Sequence, residues 1–207
     1  STVMYNYLCN NKESEKVTKI KRLILIFSVF IISIVFGAKF VINMWIEKYN
    51  DATIVMILLF SAQYVSIIIR CIHINLYKAE RRQNRYFVIM VGIVILSILL
   101  NIMLYNINKS IESIALATLM TNIVWFIIGE LDFKEYRLKI KDYLYMALLL
   151  VIFIMCGIFV NSIIGFIIYI ISAIVLSFIL LKDNFVYCIN ESLVYLKKFL
   201  KKIKGVN

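Results

Sequence analysis

Long apolar runs alternate with short polar connectors along this chain. Six runs are long enough to cross a hydrocarbon layer of roughly 30 Å, which takes about 20 helical residues. They are Leu23 to Ile46, Ala52 to about Ile72, Tyr86 to Asn108, Ile111 to Gly129, Tyr143 to Asn161 and Ser162 to Leu181. Their apolar character is continuous and does not alternate at every second position as in barrel strands, so the pattern predicts membrane-crossing helices. The last two form one uncharged run, Tyr143 to Leu181, too long for a single crossing. The segment "VNSIIG" divides it, and a hairpin turning at Asn161 and Ser162 is the simplest reading.

The polar positions inside these runs are not scattered. In the second run Gln63, Ser66, Arg70, His73 and Tyr77 follow at three- and four-residue steps, which puts them along one face of a helix that should look at protein or water. Ser97, Asn101, Tyr105 and Asn108 repeat the spacing in the third run, and Thr118, Thr121, Asn122, Trp125 and Gly129 form the polar set of the fourth. In the first, Lys39, Asn43 and Glu47 make a polar edge that descends from one surface. The last two runs carry only Cys156, Tyr169, Ser172 and Ser177, so four spans read as cavity-facing and two as lipid-facing. Each polar residue also has a plain structural reading. Lys39, roughly 10 Å inside the end of its helix, could snorkel, Arg70 could reach for head groups, His73 could be interfacial, and asparagine and threonine could simply join helices.

Charge changes the picture by giving it a direction. Lysine and arginine are numerous before the first run, between the second and third, between the fourth and fifth, and after the sixth, and sparse in the alternate connections. The positive-inside rule then places both termini in the cytoplasm. The formal net charge of +11 lies mostly on that side, beside anionic lipid, and gives no support to nucleic-acid binding. The 63% hydrophobic composition excludes a water-soluble domain.

Residues 1–22 read as a cytoplasmic N-terminal segment, 23–181 as the six-helix region and 182–207 as a basic tail. In that tail Val186, Ile189, Leu193, Leu196, Leu200 and Ile203 lie opposite lysines, as in an amphipathic helix resting on the inner leaflet. Ser1 is no initiator and the first residues hold no signal peptide, so the chain is expected to be part of something longer. Cys9, Cys71, Cys156 and Cys188 are isolated, which predicts reduced thiols and neither a disulfide framework nor a metal site. There is no phosphate-binding loop, HExxH or GxSxG, and one histidine, so neither an enzyme nor a cofactor is expected.

The run "FGAKFVINMWIEKYNDA", the linker "INLYKAERRQNRYF" before an aromatic helix start, and "NIMLYNINKSIESIALAT" with its small-residue "AxAT" start resemble the C-terminal part of bacterial Wzx-type polysaccharide and O-antigen flippases. These belong to the multidrug/oligosaccharidyl-lipid/polysaccharide exporter superfamily. The turn "NKSIES" departs from the glycine-built turn common in that family. The resemblance covers nearly the whole chain and implies an all-α polytopic protein of the bacterial inner membrane. These would be the last six spans of two lobes around a central cavity, four completing the second lobe and two lying peripherally, with an N-terminal lobe missing.

The implied activity is alternating-access movement of an undecaprenyl-diphosphate-linked oligosaccharide. Lys39 and Arg70 are then the cations for the diphosphate, and Asn43, Gln63, His73, Asn101 and Asn122 are further candidates for the substrate. A drug or small-molecule exporter of the same superfamily, a membrane scaffold that moves nothing and an integral membrane sugar or acyl transferase are the competing expectations. Every Asp and Glu falls at a span end or in a loop, which argues against an acidic cation-coupling site.

Overall fold

The computed structural model of the chain describes residues 2–11, 13–49 and 52–190. Among the described residues the structure is helices and turns, with no strand. A short helix, α1 (Thr2–Asn10), precedes α2 (Ser14–Trp45), which begins well before the predicted Leu23, so much of the expected N-terminal segment is helical. Next come α3 (Ala52–Ile68), a π-helical segment (Ile69–His73) and α4 (Ile74–Ala79), which together form one rod. Then follow α5 (Gln83–Ile107), α6 (Ile111–Asp132), α7 (Ile140–Phe159) and α8 (Ser162–Leu180). Six rods are long and apolar enough to cross a membrane: α2, α3 through α4, α5, α6, α7 and α8. The chain is thus an all-α polytopic protein of the multi-pass membrane type, with spans close to those predicted.

The hairpin between the last two helices turns where the sequence placed it, over Val160 and Asn161. The turn after α4 is closed by a left-handed residue, Arg81, at φ 57°. Its neighbour's amide, Arg82 N–H, bonds Tyr77 O at 2.9 Å, and its own amide bonds Lys78 O at 3.2 Å. That pair of bonds satisfies the carbonyls a helix end leaves open. The tail continues as helix over 182–190, and Leu193, Leu196, Leu200 and Ile203 of the predicted amphipathic face lie outside the described residues.

The core is where the expectation and the structure part. α2, α3, α7 and α8 pack on one another, and α6 covers another side of α3. Phe36, Tyr64, Tyr145, Phe153 and Tyr169 are all fully enclosed there. Phe36 and Phe153 meet edge to face with centroids 5.6 Å apart, a geometry worth about 0.5–1.5 kcal/mol beyond area. Both of the last two helices pack into this bundle, α7 on α3 and α8 on α2 and α7, while α8 keeps a long apolar face exposed. The peripheral one is α5, which packs on α6 and buries only Ile93.

Small residues explain how closely α7 and α8 pack. A Cβ on Gly165 of α8 would lie 2.9 Å from Cys156 O of α7, and one on Gly157 would lie 2.9 Å from Ile57 of α3. In an apolar solvent helices gain little from hiding apolar surface and associate where small residues let backbones approach, as here. By contrast Asn101 of α5 spends its amide on Ser97 O of its own helix, at 2.8 Å, and recruits no neighbour.

Candidate functional site

Three helices enclose α3 and leave one narrow stripe of it open. Along that stripe Leu59, Gln63 and Arg70 are exposed, with Met56, Ile67 and Ile74 half-buried. The predicted face is thus split, because Ser66, His73 and Tyr77 are buried. At about 100° per residue Gln63 and Arg70 project within about 20° of each other, while Ser66 and His73 lie some 60–80° to one side. The opening is narrower than that arc.

Turned inward, His73 enters a buried charge cluster that sequence reasoning did not find. Its Nε2 donates to Glu130 Oε1 at 2.9 Å. The same oxygen accepts Lys21 Nζ at 2.6 Å. The other carboxylate oxygen accepts the Tyr143 hydroxyl at 2.6 Å and the Leu138 amide at 3.0 Å. Lys21 also donates to Tyr136 O at 2.7 Å. One carboxylate thereby ties α2, the π segment, α6, the α6–α7 connection and α7 together. Lys21 and His73 are fully buried and Glu130 is 2% exposed, so each charge is held by a partner in place of water.

The protonation of the cluster follows from its geometry. His73 Nδ1 is buried without a partner, while Nε2 donates to the carboxylate. A proton on Nδ1 would be an unanswered buried donor, so the neutral Nε2–H tautomer fits, leaving Lys21 and Glu130 as a balanced pair. Burial pushes the Tyr136 phenol up from its ordinary value, so that neighbour adds no charge.

The ring is wedged as well as bonded. It stacks on Phe126, with centroids 5.6 Å apart, and lies against the bare Cα of Gly129. Single π-turns inside α-helices often mark functional places. Here the π-turn carries Arg70 on the open side and His73 on the closed side, so the Glu130 cluster fixes the segment that presents Arg70.

The same end of the bundle holds two more charge contacts. Arg22 grips Asp142 with Nε at 2.9 and 3.0 Å and Nη2 at 3.0 Å. Asp132 accepts the Tyr77 hydroxyl at 2.6 Å and pairs with Arg85. These contacts gather the basic segments of the sequence at one end of the bundle, as the charge alternation predicted.

The remaining candidates do not join Arg70. Lys39 is turned onto the end of α7. It is 8% exposed and its ammonium donates to Gly157 O at 2.6 Å and Val160 O at 2.9 Å, the open carbonyls at the end of α7. Asn43 is exposed near the end of α2, and the side chain of Glu47, third in that polar edge, lies outside the described ones. Asn122 donates to Ala62 O at 3.3 Å, an ordinary helix-to-helix contact. Among the described residues, then, only Gln63 and Arg70 share one open face. Glu130 and Asp142, expected in a loop, sit inside helix ends. No family model, curated protein or solved structure matches the chain.

Proposed function

We propose that this chain is the C-terminal part of a transporter that carries an anionic lipid-linked oligosaccharide across the bacterial inner membrane by alternating access. The observation that carries the reading is the open stripe of α3, which bears Gln63 and Arg70 on a helix otherwise enclosed by apolar neighbours. Hydrocarbon offers an amide or a guanidinium no partner, so such a stripe belongs against water or a polar partner. Arg70 is the cation for the diphosphate and Gln63 a hydrogen-bonding group for the sugar, while Lys39 leaves the substrate set because both carbonyls of its contact hold it. The acidic coupling expected of a drug exporter gains nothing from Glu130, whose two oxygens already accept from Lys21, His73, Leu138 and Tyr143.

A second reading, a scaffold that moves nothing, is favoured by the internal use of Lys39, His73 and Asn122. Complementation of a flippase-deficient bacterium with the full-length parent protein separates the two. Arg70→Ala and Arg70→Gln at matched membrane abundance should lose at least about tenfold of the surface glycan, the equivalent of one charge-assisted contact of 1.4 kcal/mol or more. Lys39→Met should lower the unfolding midpoint, since a cation at a helix C-terminus contributes up to about 2 kcal/mol. It should leave glycan per folded molecule unchanged. Full glycan from both Arg70 variants would favour the scaffold.

A further inference from the structure

Near the Glu130 cluster, but separate from it, a polar cavity of about 280 Å³ opens at the basic end between the start of α2, the start of α7 and the end of α8. Its charged lining is Arg22, Lys139, Lys141, Asp142, Lys182 and Asp183. Arg22 and Asp142 neutralise each other through their two-toothed contact. Asp142 also accepts the Lys139 amide at 2.8 Å, so the first turn of α7 already has its acid. What remains is Lys139, Lys141 and Lys182 against Asp183, and among the described residues none of these lysines is paired with a carboxylate. Three ammonium groups from two helix ends around one hollow repel each other until an anion enters.

We propose that this cavity binds the phosphate of an anionic membrane phospholipid. Exposed apolar residues within one helical turn of the lysines favour a lipid over a free anion. Ile140 and Leu144 of α7 and Phe178 and Ile179 of α8 are exposed next to the lysines, with Ile140 85% exposed, so an acyl chain runs on from the hollow along apolar side chains. Lys182 lies over the Phe178 ring at 5.8 Å, at the join of the charged and apolar parts. A basic hollow between helix ends above an apolar belt matches a head group and its tail, as charge and hydrophobicity require. The site is independent of Arg70 and of transport.

The test is native mass spectrometry of the protein with phosphatidylglycerol or phosphatidylcholine, alone and with inorganic phosphate in large excess. Lys139, Lys141 and Lys182 are exposed, so their joint replacement by glutamine should leave the unfolding midpoint in place. It should cut phosphatidylglycerol adducts at least about tenfold, since each lysine near anionic lipid contributes substantially. Replacing the exposed Lys16, Lys78 and Lys134, which lie outside this cavity, removes equal charge and should change little. Unchanged phosphatidylglycerol adducts in the first variant, or an equal loss in the second, would overturn the site. Displacement by inorganic phosphate, or equal retention of phosphatidylcholine, would overturn the lipid as its occupant.

Discussion

Glu130→Ala should cost about 3–5 kcal/mol of stability, the range seen when one partner of a buried ion pair is removed. The reason lies in what stays behind. Lys21 Nζ, 2.6 Å from the carboxylate in the parent, would keep only Tyr136 O, and the amide of Leu138 and the hydroxyl of Tyr143 would lose their acceptor. Glu130→Gln should cost less, because its carbonyl can still take one of those donors, yet it strands the same ammonium. Pairing Glu130→Gln with Lys21→Met removes the stranded charge and should recover much of the loss, a coupling that two single variants cannot show. Unfolding midpoints of the purified full-length protein in one detergent provide the comparison. Glu130→Ala within about 1 kcal/mol of the parent would mean that the cluster is not the tie between helices described here.

Gly129→Ala should be the next most harmful single change, by about 1–3 kcal/mol, as for overpacking in a tight core. An added Cβ would stand 2.7 Å from both Cγ and Cε1 of His73 and closer still to Nδ1. The ring has little room to yield, held by Glu130 at one nitrogen and by Phe126 on its face. Gly37 and Gly92 have nothing within 4 Å of such a Cβ. Alanine there should be neutral or should gain the helix propensity that glycine lacks, up to about 1 kcal/mol. The sign difference among three Gly→Ala changes on helices isolates the close approach from propensity. If His73→Ala is introduced first, the cost of Gly129→Ala should shrink. An undiminished cost would place the clash elsewhere.

The rods themselves were legible because hydropathy reports solvent, and lipid is the solvent that matters most here. The bounds differed chiefly at the basic end. Lys21, Arg22, Glu130 and Asp142 were read as connectors since charged residues usually mark the edge of a crossing, but each lies within a helix in the structure. Lys21 and Glu130 are 109 residues apart, and Arg22 and Asp142 are 120 apart. No local period carries such pairings. The available signal was the presence of opposite charges at the same end of several predicted helices, and it fixes no partner.

Polar content did not show which face of a helix packs on its neighbours. α8 looked lipid-facing and does expose Ile167, Ile171 and Phe178, while Ser162, Gly165, Tyr169, Ala173 and Ser177 form its buried face. Their three- and four-residue steps, with small residues at most of them, were visible in the sequence as a packing seam. α5 looked cavity-facing on the strength of Ser97, Asn101, Tyr105 and Asn108, of which Asn101 gives its amide to Ser97 O within the helix. Of the candidate site, the helical spacing that joins Gln63 to Arg70 was legible. The π-turn over Ile69–His73 was not, because no proline or other local marker announces it.

The central claim is that the Gln63 and Arg70 stripe meets water or a polar partner and not lipid. In a full-length protein whose Cys9, Cys71, Cys156 and Cys188 are replaced by serine or alanine, single cysteines at Gln63, Arg70 and, for comparison, Ile95 and Leu99 can be probed with a water-soluble maleimide. Maleimide reacts with the thiolate, which needs water around it. Ile95 and Leu99 are exposed on the peripheral helix α5 and should stay unlabelled in the bilayer. Labelling at Gln63 and Arg70 at least about tenfold faster than at those two positions is the predicted result, since a thiol in hydrocarbon scarcely ionises. Equal inertness at all four would put the stripe against lipid and contradict the account.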